Sequence, residues 1–224
     1  MKVLALETAT PVCAIGLSLD SGVSLTWILD EDRRHTEVLA TGISRVLGEF
    51  GLRVSDLDRL VVDRGPGLFT GLRVGLASAG ALCAASGVPL VGVSSLELLA
   101  DGARRGGARG TVLCAVDGRR GEVFHQTFSV SDEGTRTLDD PGVARPTDLV
   151  QRLGASPPQW LTGDGVARYR SEFSTLDGAR IDDQTVPSLE AALEWGAARE
   201  PGAVTPLYLR EADAVARFTT REGS

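Results

Sequence analysis

The sequence has few of the side chains that bind transition metals. Its 224 residues include two histidines, His35 and His125, and three cysteines, none of them in a Cys-x-x-Cys pair. Zinc sites take three or four Cys, His or acidic ligands, usually at short spacings. A zinc or iron centre with several histidine ligands is therefore not expected. The odd number of cysteines indicates buried free thiols in a reducing compartment.

Long apolar runs and targeting signals are also missing. No apolar run approaches the roughly 20 residues that a membrane-spanning helix needs. The first residues, MKVLALETATP, carry one lysine followed by acidic and turn residues, unlike a signal peptide. We therefore expect a cytoplasmic protein with no membrane partner.

Positive charge is scarce and scattered. The formal net charge is −7, and neither half of the chain contains a basic tail or stripe. Sequence-independent binding of RNA or DNA depends on clustered Lys and Arg side chains. Electrostatic binding of nucleic acid by this chain alone is therefore disfavoured.

What the sequence does contain is a globular composition with alternating strand and helix patterns. Hydrophobic residues make up 42% and charged residues 24% of the chain, close to the averages of packed domains. Apolar periodicity, turn residues and a Ser-x-x-Glu capping box define the elements of the first hundred residues. The predicted strands cover 2–7, 12–19, 23–29, 60–63 and 88–93, and the predicted helices cover 36–50, 71–86 and a segment beginning at Ser94.

A glycine-rich segment divides the chain. Residues 101–110 contain four glycines and no apolar periodicity. We therefore predict an N-terminal lobe over 1–105, in the order βββαβαβα, and a C-terminal lobe over 106–224. The second half opens, like the first, with a hairpin, and helical patterns follow near 147–153 and 188–199. This shared opening predicts an internal duplication.

The stretch GPGLFTGLRVG, residues 65–75, resembles a phosphate-binding loop. A P-loop needs G-x-x-x-x-G-K-[ST], but the only lysine of the chain is Lys2. The dinucleotide fingerprint needs G-x-G-x-x-G, and the last gap is one residue longer in this sequence. Pro66 also lacks the N–H group that a phosphate nest would use. A tight turn before a helix is therefore favoured over a phosphate site.

Small side chains line the predicted helix after this loop. The first row recurs at every fourth position: Gly71, Gly75, Ala79 and Cys83. A second row runs beside it: Ala77, Ala81 and Ala85. A glycine inside a helix costs about 1 kcal/mol relative to alanine, so Gly75 indicates close approach of another backbone. That neighbour is either the predicted helix 36–50 of the same chain or a helix of another subunit.

Six motifs follow one another along the chain: LALETAT at 4–10, RRHTE at 33–37, GPGLFTGLRVG at 65–75, VDGRRGEVF at 116–124, TGDG at 162–165 and PLYLR at 206–210. With these motifs in this order, the chain resembles TsaB, also called YeaZ, the family that acts in bacterial tRNA threonylcarbamoyladenosine synthesis. The resemblance covers essentially the full length, and the glycine-loop motif is its most specific part.

The resemblance implies an α/β fold of the two-lobed actin-like ATPase type, related to ribonuclease H, in a member that is not itself a catalyst. Its sibling TsaD transfers the threonylcarbamoyl group to an adenosine beside the tRNA anticodon, and the ATPase TsaE completes the complex. Contact with tRNA is implied only through that complex, and no ATP or other cofactor is implied for this chain. Self-association in the absence of TsaD is a further implication.

By the same resemblance, the two N-lobe helices, about 36–50 and 71–86, bind TsaD. The small-residue row then forms the docking surface, with closest approach at Gly71, Gly75 and Ala79. The partner-binding residues so implied are His35, Leu39, Ile43, Gly71, Leu72, Gly75, Leu76, Ala79 and Leu82.

Two positions depart from the family pattern. Glu7 replaces the usual Asp at the position where actin-like ATPases hold a metal-bound phosphate, and its extra methylene displaces the carboxylate. Leu68 replaces the usual Ser of the glycine loop, which removes a hydroxyl that a phosphate could use. Both changes favour a scaffold over an enzyme.

Two other functions were weighed against the scaffold. A stand-alone actin-like ATPase or small-molecule kinase would use Glu7, Thr8, Thr10 and Asp117 around a magnesium nucleotide. A metallopeptidase would need His-x-x-x-His or His-Glu-x-x-His, and the two histidines form neither motif. The metallopeptidase is therefore rejected.

The remaining polar candidates have simple structural interpretations. Asp117, Arg119 and Arg120 are expected in a hairpin turn, which by resemblance lies near the interlobe cleft. His125 is expected as a half-buried residue of a strand. Asp164, in TGDG, is expected as a turn residue ahead of a helix, although related ATPases contact a nucleoside at this place.

Overall fold

A computed structural model describes residues 1–20, 22, 24–29 and 35–210 of the chain. Of the predicted residues, the His35 side chain lies outside the described part. The strands are β1 (Val3–Glu7), β2 (Cys13–Ser18), β3 (Ser24–Leu29), β4 (Arg59–Asp63), β5 (Leu90–Val93), β6 (Gly110–Arg119), β7 (Glu122–Ser131), β8 (Gly134–Thr137), β9 (Gly142–Ala144), β10 (Trp160–Thr162) and β11 (Arg180–Ile181). The α-helices are α1 (His35–Glu49), α2 (Phe69–Ser86), α3 (Ser95–Arg105), α4 (Pro146–Leu153), α5 (Asp164–Arg168), α6 (Arg170–Phe173) and α7 (Leu189–Ala198).

The first sheet has the strand order β3-β2-β1-β4-β5. Strands β1, β2 and β3 are antiparallel neighbours, whereas β4 and β5 run parallel to β1. Both faces of β1 are buried: Leu4 and Leu6 belong to the cluster under α1 and α2, and Val3 and Ala5 to the cluster under α7. A strand with both faces covered reads as a continuous apolar run, as this sequence does.

The second sheet repeats this topology. Its order, β8-β7-β6-β10-β11, places the first three strands of the lobe as an antiparallel meander and the next two parallel to the first. The two sheets therefore share one strand order, and the predicted internal duplication is confirmed. The predicted α/β, two-lobed actin-like fold class is confirmed with it.

Two helices cross between the sheets. Helix α3, from the first half of the chain, packs Leu96, Leu99 and Ala103 against β6 and β7. Helix α7 lies in the predicted C-terminal lobe, but it packs on β1, β2 and β4 of the first sheet. Gly196 permits this close approach, because a Cβ there would clash with Val61. The lobes are thus joined by shared cores as well as by the chain.

The predicted elements are present to within about two residues. Helix α2 begins at Phe69 with Leu68 as its N-cap, two residues before the predicted start at Gly71, and β5 begins at Leu90, two residues after the predicted start at 88. Strands β8, β9 and β11 and helix α6 were not predicted. The predicted boundary segment 101–110 is helical as far as Arg105, where α3 ends. The capping box of α3 is confirmed, with Ser94 and Glu97 as its members.

Candidate functional site: the α1–α2 face and the interlobe cleft

The inner face of α2 packs on the chain's own sheet. Gly71, Leu72, Gly75 and Ala79 are its buried residues. Thr8 Oγ1 donates a 2.9 Å hydrogen bond to the Gly71 carbonyl oxygen, and a Cβ at Gly75 would clash with that hydroxyl. The group that Gly75 admits is therefore the Thr8 side chain, directly after β1, and not a second backbone. Neither of the two neighbours predicted from the sequence, helix 36–50 or a helix of another subunit, occupies this place.

The outer face of α2 carries the second row of small residues. Ala77, Ala81 and Ala85 are exposed, and no charged residue follows Arg73 in this helix. Among the described helices, α2 alone is long and apolar enough to cross a membrane by length and composition, although the sequence predicted no such run. Only 22% of the helix is buried in the chain. An apolar helix this open is a candidate surface for another protein.

A groove of about 540 Å³ separates α1 from the outer face of α2, and we call it the docking groove. Its walls are apolar side chains, two serines and the side chain of Arg53. The residues that form it include Ala40, Ile43, Leu47, Leu52, Ala81 and Leu82.

The predicted partner-binding residues divide between the core and this groove. Five of them lie in the core of the chain. Leu39 belongs to α1, and the other four belong to the buried face of α2: Gly71, Leu72, Gly75 and Ala79. Because Gly71, Gly75 and Ala79 face the chain's own sheet, the outer face of α2 is the surface open to a partner, and the predicted contact at these three positions stays a prediction. Ile43 and Leu82 line the groove, and Leu76 is half-buried. The missed signal was the second alanine row, which the sequence contained.

The glycine loop is pinned by packing. Leu68 N–H donates to the Ala9 carbonyl oxygen at 2.6 Å, and a Cβ at Gly67 would clash with that oxygen. Asp63 Oδ1 accepts hydrogen bonds from Gly65 N–H at 2.7 Å and from Ser95 Oγ at 2.9 Å. The glycines let the loop lie against the end of β1, which is the role of a tight turn.

Two buried carboxyl groups meet under this loop. Glu7 and Asp63 are 0% and 1% exposed. Glu7 Oε1 accepts hydrogen bonds from Thr10 N–H at 2.9 Å and Thr10 Oγ1 at 3.1 Å, which leaves Oε2 for Asp63. Burial, and secondly the charge of Asp63, raise the pKa of Glu7 well above its usual value. Burial also raises the pKa of Asp63, and we infer that the pair holds one proton between Glu7 Oε2 and Asp63 Oδ2, because two ionised carboxylates are disfavoured in a dry site.

These residues do not fit a magnesium nucleotide. Thr8 and Thr10 are buried, and their hydroxyls are bonded to Gly71 and Glu7. Within the described ranges, no group of three or more His, Cys, Asp or Glu side chains could hold a metal ion. The acidic pair is satisfied by a proton that it shares internally.

A cleft of about 640 Å³ lies between the lobes, beside the start of α2. The β6–β7 turn reaches it with Asp117, Arg119 and Arg120, so the expected position of this motif near the cleft is confirmed. Arg119 Nη1 lies 3.1 Å from Asp117 Oδ2. Asp117 N–H in turn donates to Asp164 Oδ1 at 3.0 Å. Burial raises the pKa of Asp164 to about 6.

The other predicted polar residues have structural roles. Asp164 opens α5, as expected of a turn residue ahead of a helix. His125 lies in β7 with 8% of its surface exposed, and its Nε2 is 3.4 Å from Arg152 Nη2. Burial, and secondly the Arg152 charge, lower the pKa of His125. Cys13 and Cys114 are buried free thiols, and Cys83 is half-buried.

Comparisons with known proteins agree with this architecture. A family model described as "TsaD: tRNA N6-adenosine threonylcarbamoyltransferase" matches residues 30–173. The tRNA threonylcarbamoyladenosine biosynthesis protein TsaB of Escherichia coli is 32% identical over 163 residues, which cover 72% of this chain and 70% of that protein. An uncharacterized protein of Mycobacterium tuberculosis is 34% identical over 214 residues, 95% of this chain and 93% of its own length.

Two solved structures from Pseudomonas aeruginosa share the fold. An uncharacterized protein with similarity to peptidase YeaZ superposes with a TM-score of 0.79 at 27% identity, over 93% of this chain and 99% of its own. YeaZ itself superposes with a TM-score of 0.73 at 25% identity, over 88% of this chain and 91% of its own. With identity of this level over most of its length, the chain belongs to the TsaB (YeaZ) family of tRNA threonylcarbamoyladenosine biosynthesis proteins.

Proposed function

We propose that this chain is a non-catalytic subunit that binds and supports a TsaD-type threonylcarbamoyltransferase during formation of threonylcarbamoyladenosine next to the tRNA anticodon. The observation that carries the proposal is the open outer face of α2, which has no charged residue after Arg73, beside the docking groove. The TsaB family acts in threonylcarbamoyladenosine biosynthesis. This surface would let the chain take part by binding a partner, without a catalytic centre of its own.

The chemistry of this face suits a helix of a partner. The exposed alanines let a second backbone come close, and the groove beside them accepts larger apolar side chains. Exposed apolar surface without charges is costly in water and is stabilised when a partner covers it. Because the chain itself matches the TsaD family model, a partner of the same fold would offer an equivalent pair of helices.

The interior supports a role without catalysis. The carboxyl group at the start of the fold, Glu7, is buried and shares a proton with Asp63 instead of facing an open site. The glycine loop is closed against Ala9. We therefore assign the transfer chemistry to the TsaD partner, propose that TsaE joins the assembled complex, and give this chain no ATP or ADP cofactor.

Co-elution of this chain with TsaD on gel filtration tests the proposal. Ala81→Trp fills the docking groove with a bulky ring and is expected to abolish co-elution. Ala197→Trp is the matched control, since Ala197 is an exposed alanine of α7 on the opposite face of the same sheet. Both variants should retain the wild-type thermal transition. Wild-type co-elution of the Ala81→Trp variant would contradict the docking assignment.

A further inference from the structure

Arginines from three distant parts of the chain meet at the interlobe cleft. Arg73 comes from α2, Arg119 and Arg120 from the β6–β7 turn, and Arg210 from the segment after α7. Among the described residues that line the cleft, Asp117 is the only acidic one. The cleft is therefore a basic site in a chain whose net charge is −7. The sequence could not show this, because the four residues are not contiguous.

Two exposed aromatic rings stand beside these arginines. Phe69 and Tyr208 have ring centroids 5.5 Å apart, and 43% and 44% of their surfaces are exposed. The Arg73 guanidinium lies 3.7 Å from the centroid of the Phe69 ring, and its Nε donates to the Tyr208 hydroxyl at 3.3 Å. Partly exposed aromatic rings next to arginines are the kind of platform on which proteins stack unpaired bases, and Arg73 already stacks on one face of Phe69.

The backbone of the turn is strained in a way that presents arginines to the cleft. Arg119 and Arg120 have φ values of 61° and 56°, a region in which Gly and Asn are favoured. Ordinary turn chemistry would place those residues here, so two arginines need another reason. Ion pairs fix the guanidinium groups of the cleft, Arg119 with Asp117 and Arg210 with Glu122 at 2.9 Å.

We propose that this cleft binds single-stranded RNA, with one base stacked on the Phe69–Tyr208 pair and backbone phosphates held by Arg73, Arg119 and Arg210. The proposal rests on the proposed function, which makes the loop of a tRNA the substrate of the assembled complex. It goes beyond that function, because it gives this chain its own contact with the RNA.

RNA fits the cleft better than a free nucleotide does. The positive charges come from three separate elements, α2, the β6–β7 turn and the segment after α7, and a backbone with several phosphates can use all of them. A magnesium triphosphate also needs a carboxylate for its metal, and the one acidic side chain among the described cleft-lining residues, Asp117, is paired with Arg119. An acidic peptide would use the arginines but would leave the aromatic faces unused.

Fluorescence anisotropy tests this proposal on the full chain, with a 17-nucleotide anticodon stem-loop at low salt as the probe. Tyr208→Ala removes one stacking ring and is expected to weaken binding about tenfold, whereas Tyr208→Phe keeps the ring and the affinity. Arg119→Asn, which tolerates positive φ, should weaken binding and lower the slope of log K against log salt by about 1. Arg136→Ala on exposed β8, outside the cleft, is the charge control and should bind as wild type does.

Three results would overturn the RNA assignment. The first is an RNA affinity that neither Tyr208→Ala nor Arg119→Asn changes. The second is displacement of the RNA by micromolar MgATP. The third is an acidic peptide that the wild-type chain binds as tightly as the RNA and that both variants fail to bind. A failure of the proposed function would be a separate result: the Ala81→Trp variant would co-elute with TsaD as the wild-type chain does. The isolated Ala81→Trp variant should still bind the stem-loop, because its site of substitution lies outside the cleft.

Discussion

At the scale of single residues, the informative case is the Glu7–Asp63 pair. The side chain that was expected to disfavour phosphate binding lies against a second carboxyl group. The sequence predicted that a longer acid at position 7 would disfavour phosphate chemistry. It could not predict that Glu7 would face Asp63, because the contact depends on the parallel pairing of β1 with β4. Two orphan oxygens, Glu7 Oε2 and Asp63 Oδ2, have no other partner, and a shared proton satisfies both.

We predict that this proton makes stability depend on pH. The folded-state pKa of Glu7 is raised above its usual 4.5, so the native state binds the proton over a range in which the unfolded chain has released it. The free energy of unfolding therefore falls as pH rises from about 4.5 to the folded-state pKa. Glu7→Gln keeps an N–H donor toward Asp63 at every pH and should flatten this fall.

Urea denaturation of wild type and Glu7→Gln from pH 5 to pH 9 measures the difference. Glu7→Ala is the control, because it leaves the Thr10 donors and Asp63 Oδ2 unpaired and should lose about 1–3 kcal/mol for each buried group. Parallel pH profiles for wild type and Glu7→Gln would show that Glu7 is ionised in the folded chain.

At the scale of elements, local patterns predicted which segments form helices better than which faces those helices bury. Turn chemistry and periodicity located α1, α2, α3 and α7 to within about two residues. These patterns did not predict which face of α2 is buried. Both rows along the helix consist of small residues, and a small side chain fits a core and a tight interface equally well. The deciding contact, Thr8 against Gly75, comes from another element.

Two glycines of α2 give a matched test of this orientation. Gly75 faces Thr8, and an added Cβ would clash, whereas a Cβ at Gly80 meets nothing within 4 Å. Gly75→Ala should therefore lose about 1–3 kcal/mol of stability, because overpacking outweighs the gain in helix propensity. Gly80→Ala gains the same helix propensity without a clash and should stabilise the chain by up to about 1 kcal/mol. Thermal unfolding in which both variants shift in the same direction would contradict the assignment of the inner face.

At the scale of the whole molecule, the duplication was predictable and the relation between the lobes was not. Two hairpin openings in one sequence were enough to predict two similar sheets. The exchange of α3 and α7 between those sheets depends on long-range packing, such as Gly196 against Val61. The basic cleft arises in the same way, because Arg73 and Arg119 meet only when the lobes are assembled.

The docking groove also predicts how the chain assembles on its own. Without a partner, the outer face of α2 is exposed, and a second copy is the other source of complementary helices. We predict a concentration-dependent homodimer through the face that we propose for TsaD binding, so that the two assemblies exclude each other by mass action. Light scattering should give a dimer mass for wild type, a monomer mass for Ala81→Trp, and a 1:1 heterodimer once TsaD is in excess. A complex in which two copies of this chain stay paired through α2 while TsaD is bound would show that the two surfaces are different.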